Sequence, residues 1–121
     1  MPRLLLIEDD NPLRRALADL LVRRGYEVFD AADGKTGLNL AFSCQPDIIL
    51  CDIDLPGVNG FTVLNELNQR GVLAHSTLYF MTGHPVDMFA LQEATGNVAG
   101  FIMKPFDVDE LLKTISSYVR A

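Results

Sequence analysis

Four short apolar runs in this chain are each followed by a polar residue suited to contact with phosphate or a cation. Short continuous apolar runs bounded by turn signals are typical of strands buried on both faces, as in parallel sheets covered by helices. The sequence therefore predicts four buried strands with polar residues at their ends. The runs are Leu4 to Ile7 before Glu8 and Asp9, Ile48 to Cys51 before Asp52, Leu78 to Met81 before Thr82, and Phe101 to Met103 before Lys104.

The segments between these runs carry apolar residues at the three-and-four spacing that predicts amphipathic helices. The first helix begins with Asn11 and Pro12 as cap and first-turn pair and ends at Gly25. The remaining predicted elements are a short strand from Tyr26 to Ala31 and helices from about Lys35 to Cys44, Phe61 to Arg70, Val86 to Thr95, and Asp107 onward.

Five predicted strands alternate strictly with five predicted helices. This order predicts an α/β fold, a doubly wound parallel sheet with right-handed crossovers and helices on both faces. Ligands of open α/β sheets bind outside the carboxyl ends of the strands. We therefore expect the acids, the Thr82 hydroxyl and the Lys104 ammonium to meet in one crevice, a combination that suggests a divalent metal and a phosphoryl group.

Composition narrows the range of partners. The 121 residues, 49% of them hydrophobic, suffice for one packed core, so we predict a single domain over residues 1–121. A formal charge of -6 has the wrong sign for binding nucleic acid or anionic lipid. No apolar stretch approaches the roughly 18 residues of a membrane span, and no signal peptide follows Met1, so we expect a soluble, cytoplasmic protein without a membrane partner.

The cysteines and histidines offer no recognisable metal site. Cys44 and Cys51 match no zinc spacing and are expected to be buried, reduced thiols. His75 and His84 have no clustered ligands around them, and we expect both on loops or at the surface.

Acidic residues at the end of the first strand point to a bound cation. A negative charge at a helix N-terminus explains Asp10 on its own. Glu8 and Asp9 lie nearer the strand end, where they would crowd Asp52 on the adjacent strand, and like charges at close range raise pKa values unless a cation lies among them. Magnesium, which accepts one or two carboxylates and keeps positions for phosphate oxygens, fits these residues.

Three further residues complete the predicted chemistry. A carboxylate at Asp52 can act as a nucleophile toward phosphorus, and the turn-rich loop after it would let the backbone approach a metal. Thr82 could donate its hydroxyl to a phosphoryl oxygen, although a lone strand-end threonine is usually structural. Lys104 could neutralise the acids as a point charge, although an isolated surface lysine is common. The Lys104–Pro105 bond is a candidate cis peptide.

Jointly, these residues resemble the receiver domain of two-component response regulators. The family pattern is an acidic pair, a phosphoacceptor aspartate followed by Pro and Asn-Gly, a Thr or Ser, and Lys-Pro. The resemblance implies a flavodoxin-like fold with strand order 2-1-3-4-5. It also implies magnesium held by Asp9, Asp52 and the Asp54 backbone carbonyl, with Glu8 contributing through water. The matching positions are Glu8 and Asp9, Asp52 with Pro56 and Asn59-Gly60, Thr82, and Lys104-Pro105.

The resemblance further implies a signalling phosphoacceptor rather than an enzyme. Asp52 would take a phosphoryl group from a phosphohistidine on a kinase or phosphotransfer protein, and Thr82 and Lys104 would then contact its oxygens. Phe101 matches the family's switch aromatic, which alters the face made by the fourth helix, fifth strand and fifth helix toward an output domain or partner. Plain core packing is the other reading of Phe101. Homodimers through this face are common in the family, but no charge pattern here specifies one.

Two positions near the expected pocket are variable in the family. Asp54 is an acid two residues after the acceptor, and His84 lies two residues after Thr82. We hypothesise that replacing either changes the dephosphorylation rate more than fold stability; equal phosphoryl half-lives in wild type and both variants would rule this out.

Two rival functions remain open at this point. Asp52-Ile53-Asp54 also resembles the DxD pair of haloacid-dehalogenase-like phosphatases, but Leu55-Pro56 replaces the expected Thr or Val and there is no segment for a substrate-covering cap. A receiver-like interaction module that never carries phosphate is the third reading, which the complete set of pocket residues disfavours.

Overall fold

The computed structural model describes residues 2–83 and 98–116 of the chain. Strands and helices alternate along it as the apolar pattern predicts. The described elements are β1 (Arg3–Ile7), α1 (Asn11–Arg23), β2 (Glu27–Ala31), α2 (Gly34–Cys44), β3 (Ile48–Asp52), α3 (Gly60–Gln69), a 3-10 turn (Val72–Ala74), β4 (Thr77–Thr82), β5 (Gly100–Met103) and a last described helix (Val108–Ser116).

All five strands form one parallel sheet in the order β2-β1-β3-β4-β5. This order confirms the predicted flavodoxin-like, doubly wound fold. The predicted helix from Val86 to Thr95 and the residue His84 lie outside the described residues. Among the described residues, no helix combines the length and apolar character needed to cross a membrane.

Each face of the sheet has its own core, because successive strand residues point to opposite sides. On one face, Leu5 and Ile49 pack with buried residues of α2 and α3. On the other, Leu4 and Leu50 pack with buried residues of α1 and of the last described helix. Helices on both faces explain why the central strands are apolar at every position rather than at alternate ones.

Local details correct four expectations. The N-cap of α1 is Asp10, whose carboxylate accepts a hydrogen bond of 3.1 Å from the Leu13 backbone N–H, so the predicted cap Asn11 is wrong. The strands β3 and β4 run one residue further than predicted, so Asp52 and Thr82 are their last residues. The 3-10 turn was not predicted. Of the two cysteines, both free thiols, Cys51 is buried as expected and Cys44 is partly exposed.

Candidate functional site

Four polar side chains from different strands meet at the carboxyl edge of the sheet. β1, β3, β4 and β5 are parallel neighbours, so the residue that ends or follows each of them lies at the same edge. Glu8 is fully buried, and Asp52 and Thr82 are 5% and 1% exposed. Lys104 reaches the same place from the end of β5. Polar groups this deeply buried need partners, and Lys104 supplies one to both Glu8 and Asp52.

Three carboxylates form what we call the acidic group: Glu8, Asp9 and Asp52. One carboxylate oxygen from each lies within 4.8 Å of the others. Glu8 and Asp52 are buried, whereas Asp9 is exposed and opens the group to solvent. Hard carboxylate oxygens at this spacing, with one open side for water, are the ligand set that a magnesium ion takes. The residues present therefore fit a divalent cation.

Lys104 neutralises part of this negative charge. Its Nζ donates hydrogen bonds to a carboxylate oxygen of Glu8 and, at 2.9 Å, to Oδ2 of Asp52. Burial by itself lowers the pKa of the Lys104 ammonium, but the hydrogen bonds to the two acids outweigh it and raise the pKa overall. Lys104 therefore carries its full positive charge in this site.

Burial strongly perturbs the Glu8 carboxyl group. Burial raises its pKa from 4.5 to about 7; the hydrogen bond from Lys104 opposes this rise, and the nearby Asp52 adds to it. The Asp10 backbone N–H also donates to the Glu8 carboxylate at 3.2 Å. In the absence of a divalent cation, Glu8 therefore gains a proton as the pH falls through about 7.

This shift predicts how the stability depends on pH. The folded state holds the Glu8 proton more tightly than the unfolded chain, so stability without divalent cation is lost as pH rises from about 4.5 to about 7. We expect Glu8→Gln to remove this loss. The free energy of unfolding of the variant, relative to wild type, should rise by roughly 3 kcal/mol across that range, since one pKa unit is about 1.4 kcal/mol. Urea unfolding at pH 4.5, 5.5, 6.5 and 7.5 measures this difference, and a difference that is constant with pH would contradict it.

The loop after β3 fixes the Asp52 carboxylate. The Asp54 backbone N–H donates to Oδ1 of Asp52 at 3.0 Å, while Lys104 binds the other oxygen. Further along, Asn59 caps α3 through the Thr62 backbone N–H at 3.0 Å. A Cβ at Gly60 would lie 2.8 Å from the Asp52 carbonyl oxygen. The Asn59-Gly60 pair therefore lets α3 begin against the backbone of the aspartate.

Arg14 is a site residue that sequence reasoning missed. Its guanidinium donates to the backbone carbonyl oxygen of Glu8 at 3.0 Å and to the Asp30 carboxylate of β2 at 3.0 Å. The guanidinium thus holds the backbone that carries the acidic pair. In the sequence, Arg14 is one of several arginines on the polar face of the first helix, and no local signal distinguishes it from Arg15.

We expect Arg14→Met, which keeps the alkyl stem, to lower the free energy of unfolding by about 1 to 2 kcal/mol through the lost charge-assisted hydrogen bonds. Arg15→Met, on an exposed neighbour, should change it by less than about 0.5 kcal/mol. Chemical denaturation of both variants tests the difference. Equal effects would show that the hydrogen bond from Arg14 to the Glu8 carbonyl oxygen does not contribute to stability.

The remaining predicted site residues lie close to this centre. Thr82 is buried at the end of β4, and its carbonyl oxygen accepts a 2.7 Å hydrogen bond from the Lys104 backbone N–H. The Lys104–Pro105 peptide bond is cis. Phe101 is partly buried, with its ring centroid 6.0 Å from that of Phe80, so it packs into the core on the α2 and α3 side of the sheet. His75 is exposed, as expected for a surface residue.

The fold and this polar edge agree with one protein family. Residues 4–116 match the response regulator receiver domain. The chain belongs to this family. A receiver domain is the phosphoacceptor of a two-component signalling system rather than a conventional enzyme, and the acidic group is consistent with its phosphorylation site.

Individual relatives agree over the whole receiver domain. The polar-differentiation response regulator DivK of Brucella anthropi is 33% identical over 120 residues, which cover 98% of this chain and 98% of DivK. The chemotaxis protein CheY4 of Vibrio cholerae has a TM-score of 0.89 at 27% identity, over 98% of this chain and 99% of that one. The response regulator TrrA of Thermotoga maritima, solved in complex with Mg2+-BeF, has a TM-score of 0.82 at 25% identity, over 96% and 97% of the two chains.

Other curated relatives are longer than this receiver domain. The chain spans 12% to 53% of the length of several of them, which are named as transcriptional regulators, a regulatory protein and a sensor histidine kinase. In those proteins the matching segment is one part of a larger chain.

Proposed function

We propose that residues 1–121 form one receiver domain that takes a phosphoryl group from a phosphohistidine onto Asp52 in a magnesium-dependent reaction. The observation that carries the proposal is the position of the Asp52 carboxylate. It lies within the acidic group, with one oxygen held by Lys104 and the other by the Asp54 backbone N–H. A carboxylate fixed in this way is oriented for in-line attack on phosphorus.

Each residue of the site has a role in this proposal. Asp9, Asp52 and the Asp54 backbone carbonyl would hold magnesium, and Glu8 would contribute through water. A magnesium ion bound there supplies positive charge to the oxygens of the transferring phosphoryl group. Lys104 supplies a second positive charge. Catalysis of the transfer then comes mainly from positioning and from charge neutralisation.

After transfer, the added charge would change the local contacts. Thr82 and Lys104 already lie at this edge, and their polar groups would move to the new phosphoryl oxygens. Phe101, packed near Phe80, would then change its position and alter the surface around β5. That surface would in turn control an output domain or a partner protein.

The partners follow from this chemistry. A phosphohistidine donor implies a histidine kinase or a histidine phosphotransfer protein, and a cytoplasmic location for the receiver. The net charge of -6 argues against direct nucleic-acid binding by this domain. Asp54, which is exposed beside the site, would tune the phosphoryl lifetime, as would His84 outside the described residues.

Intact-mass analysis after treatment with acetyl phosphate and magnesium tests the proposal. We expect one phosphoryl group per chain and no modification when magnesium is chelated. Continuous turnover of a small phosphoester, with no stable modification of the chain, would instead support the phosphatase-like alternative. A chain that binds neither phosphate nor beryllofluoride with magnesium would be an interaction module only.

A further inference from the structure

A cavity of about 480 Å³ opens beside the acidic group. Its lining includes two acids, Asp9 and Asp54, and an apolar part formed by Leu55, Pro56 and Phe61. The cavity begins at the phosphoacceptor, because Asp9 belongs to the acidic group and the Asp54 backbone N–H lies 3.0 Å from Oδ1 of Asp52. A donor group that reacts at Asp52 can therefore extend into this cavity.

The apolar side of the cavity has no role in binding a phosphoryl group or magnesium. Both are charged and strongly hydrated, and both need oxygen or nitrogen partners rather than carbon. An apolar wall beside an anionic one instead suits a flat cationic group that carries carbon on its faces. The cavity thus offers a second recognition site next to the one that holds the phosphoryl group.

Phe61 is the aromatic residue of this wall. Its ring meets Phe80 edge-on, with centroids 5.6 Å apart, which fixes the ring from the core side. The residue is nevertheless 39% exposed, and it is the only aromatic among the exposed large apolar residues in the described part of the chain. Because α3 starts at Gly60, directly against the Asp52 backbone, the ring is held at a fixed place near the acceptor.

We propose that Phe61 is a specificity-determining residue for the phosphodonor, and that its ring contacts the imidazole of the phosphohistidine during transfer. The inference rests on the proposed function. The protonated ring of a phosphoimidazole is a flat cationic group attached to the anionic phosphoryl group. It would be attracted by the face of the Phe61 ring and by the carboxylate of Asp54, which lines the same cavity. A donor with a small anionic leaving group, such as acetyl phosphate, gains neither contact.

The chemical step balances without any further reactant. The P–N bond breaks and the ring nitrogen keeps its electron pair, while an oxygen of Asp52 forms the new P–O bond. The imidazole keeps the proton on its other nitrogen and leaves as a neutral ring. Since Phe61 touches the ring rather than the phosphorus, its effect belongs to donor binding, and should appear in the half-saturating donor concentration more than in the maximal rate.

The test compares two donors on the whole chain with magnesium present. Initial phosphorylation rates are measured by intact mass with phosphoimidazole and with acetyl phosphate, for wild type, Phe61→Leu and Phe61→Tyr. We expect Phe61→Leu to lower the second-order rate constant with phosphoimidazole by roughly 3- to 10-fold and that with acetyl phosphate by less than about 2-fold. Phe61→Tyr keeps an aromatic face and should retain most of the phosphoimidazole rate. Val22→Ala, at an exposed apolar residue on α1, should alter neither.

A second measurement uses the unaltered protein. Ring resonances of Phe61 are followed by NMR while imidazole at pH 6 is added with magnesium, and we expect them to shift. Those of Phe42, whose ring already lies under Arg70 with 4.7 Å from the guanidinium carbon to the ring centroid, should not shift.

Three results would overturn the inference. These are an equal loss with both donors in Phe61→Leu, no loss with phosphoimidazole, or no shift of the Phe61 ring. If acetyl phosphate phosphorylates wild type but Phe61→Leu has the same effect with both donors, only the inference fails. If neither donor modifies wild type, the proposed function itself fails, and the inference fails with it.

Discussion

Asp52→Asn should abolish phosphorylation of the chain by acetyl phosphate or by a phosphohistidine donor. The amide has no charge and is a far weaker nucleophile toward phosphorus, and no other carboxylate of the described residues is held by both Lys104 and the Asp54 backbone N–H. The same change removes one of the three charges of the acidic group, so magnesium affinity should fall by about tenfold or more. Intact mass measures the first effect, and calorimetric titration with magnesium measures the second.

Asp19→Asn is the matched control, because it makes the same chemical change on an exposed residue of α1. It should leave both phosphorylation and magnesium affinity as in wild type. A phosphoryl group on the Asp52→Asn chain would contradict the assignment and would direct attention to Asp9, the exposed acid of the group.

The fold was predictable because the apolar runs and the helical spacing between them indicate the same elements along the whole chain. Runs such as Leu4 to Ile7 and Ile48 to Cys51 are apolar at every position and too short for a helix, which indicates strands covered by helices on both sides. Their alternation with helical segments then limits the topology to a few choices. The strand-end residues were found for the same reason, since parallel strands bring their carboxyl ends to one edge.

Contacts that depend on side-chain reach were not predictable. Arg14 differs from Arg15 only in its direction on α1, which decides whether the guanidinium can reach the Glu8 carbonyl oxygen. The cap of α1 was assigned one residue late, because Asp10 and Asn11 are both good capping residues and only the backbone conformation separates them. The sequence predicts Phe61 only as the start of a helix. Its position beside the acceptor depends on the conformation of the preceding loop, which the sequence pattern does not specify.

The balance of charge links these residues. Glu8 and Asp52 are buried close together, and the structure reduces their repulsion with Lys104 and with a raised pKa at Glu8. Even with Lys104 and a proton on Glu8, the site keeps more negative than positive charge. Under the proposed function, a divalent cation and then a phosphoryl group would bind a centre whose negative charge Lys104 neutralises only in part.

Lys104→Met should lower the free energy of unfolding by about 2 to 4 kcal/mol at pH 7 without divalent cation. The variant keeps most of the apolar stem but leaves the buried carboxyl groups of Glu8 and Asp52 without their cation, and breaking a buried pair in this way costs more than the pair contributes. The loss should be smaller at pH 5, because Glu8, whose pKa is about 7, is then protonated. Urea unfolding at the two pH values measures it, and Lys113→Met, on the exposed side of the last described helix, is the control.

Magnesium should reverse part of this loss, and the direction of that effect distinguishes two roles of Lys104. If the ammonium only neutralises the acids, it competes with the cation for them, so magnesium should stabilise Lys104→Met more than wild type at the same concentration. Phosphorylation by acetyl phosphate should still be slower in the variant, because the transferring phosphoryl group loses a positive charge that the cation does not replace. Weaker stabilisation of the variant by magnesium would show instead that Lys104 orders the carboxylates for the metal.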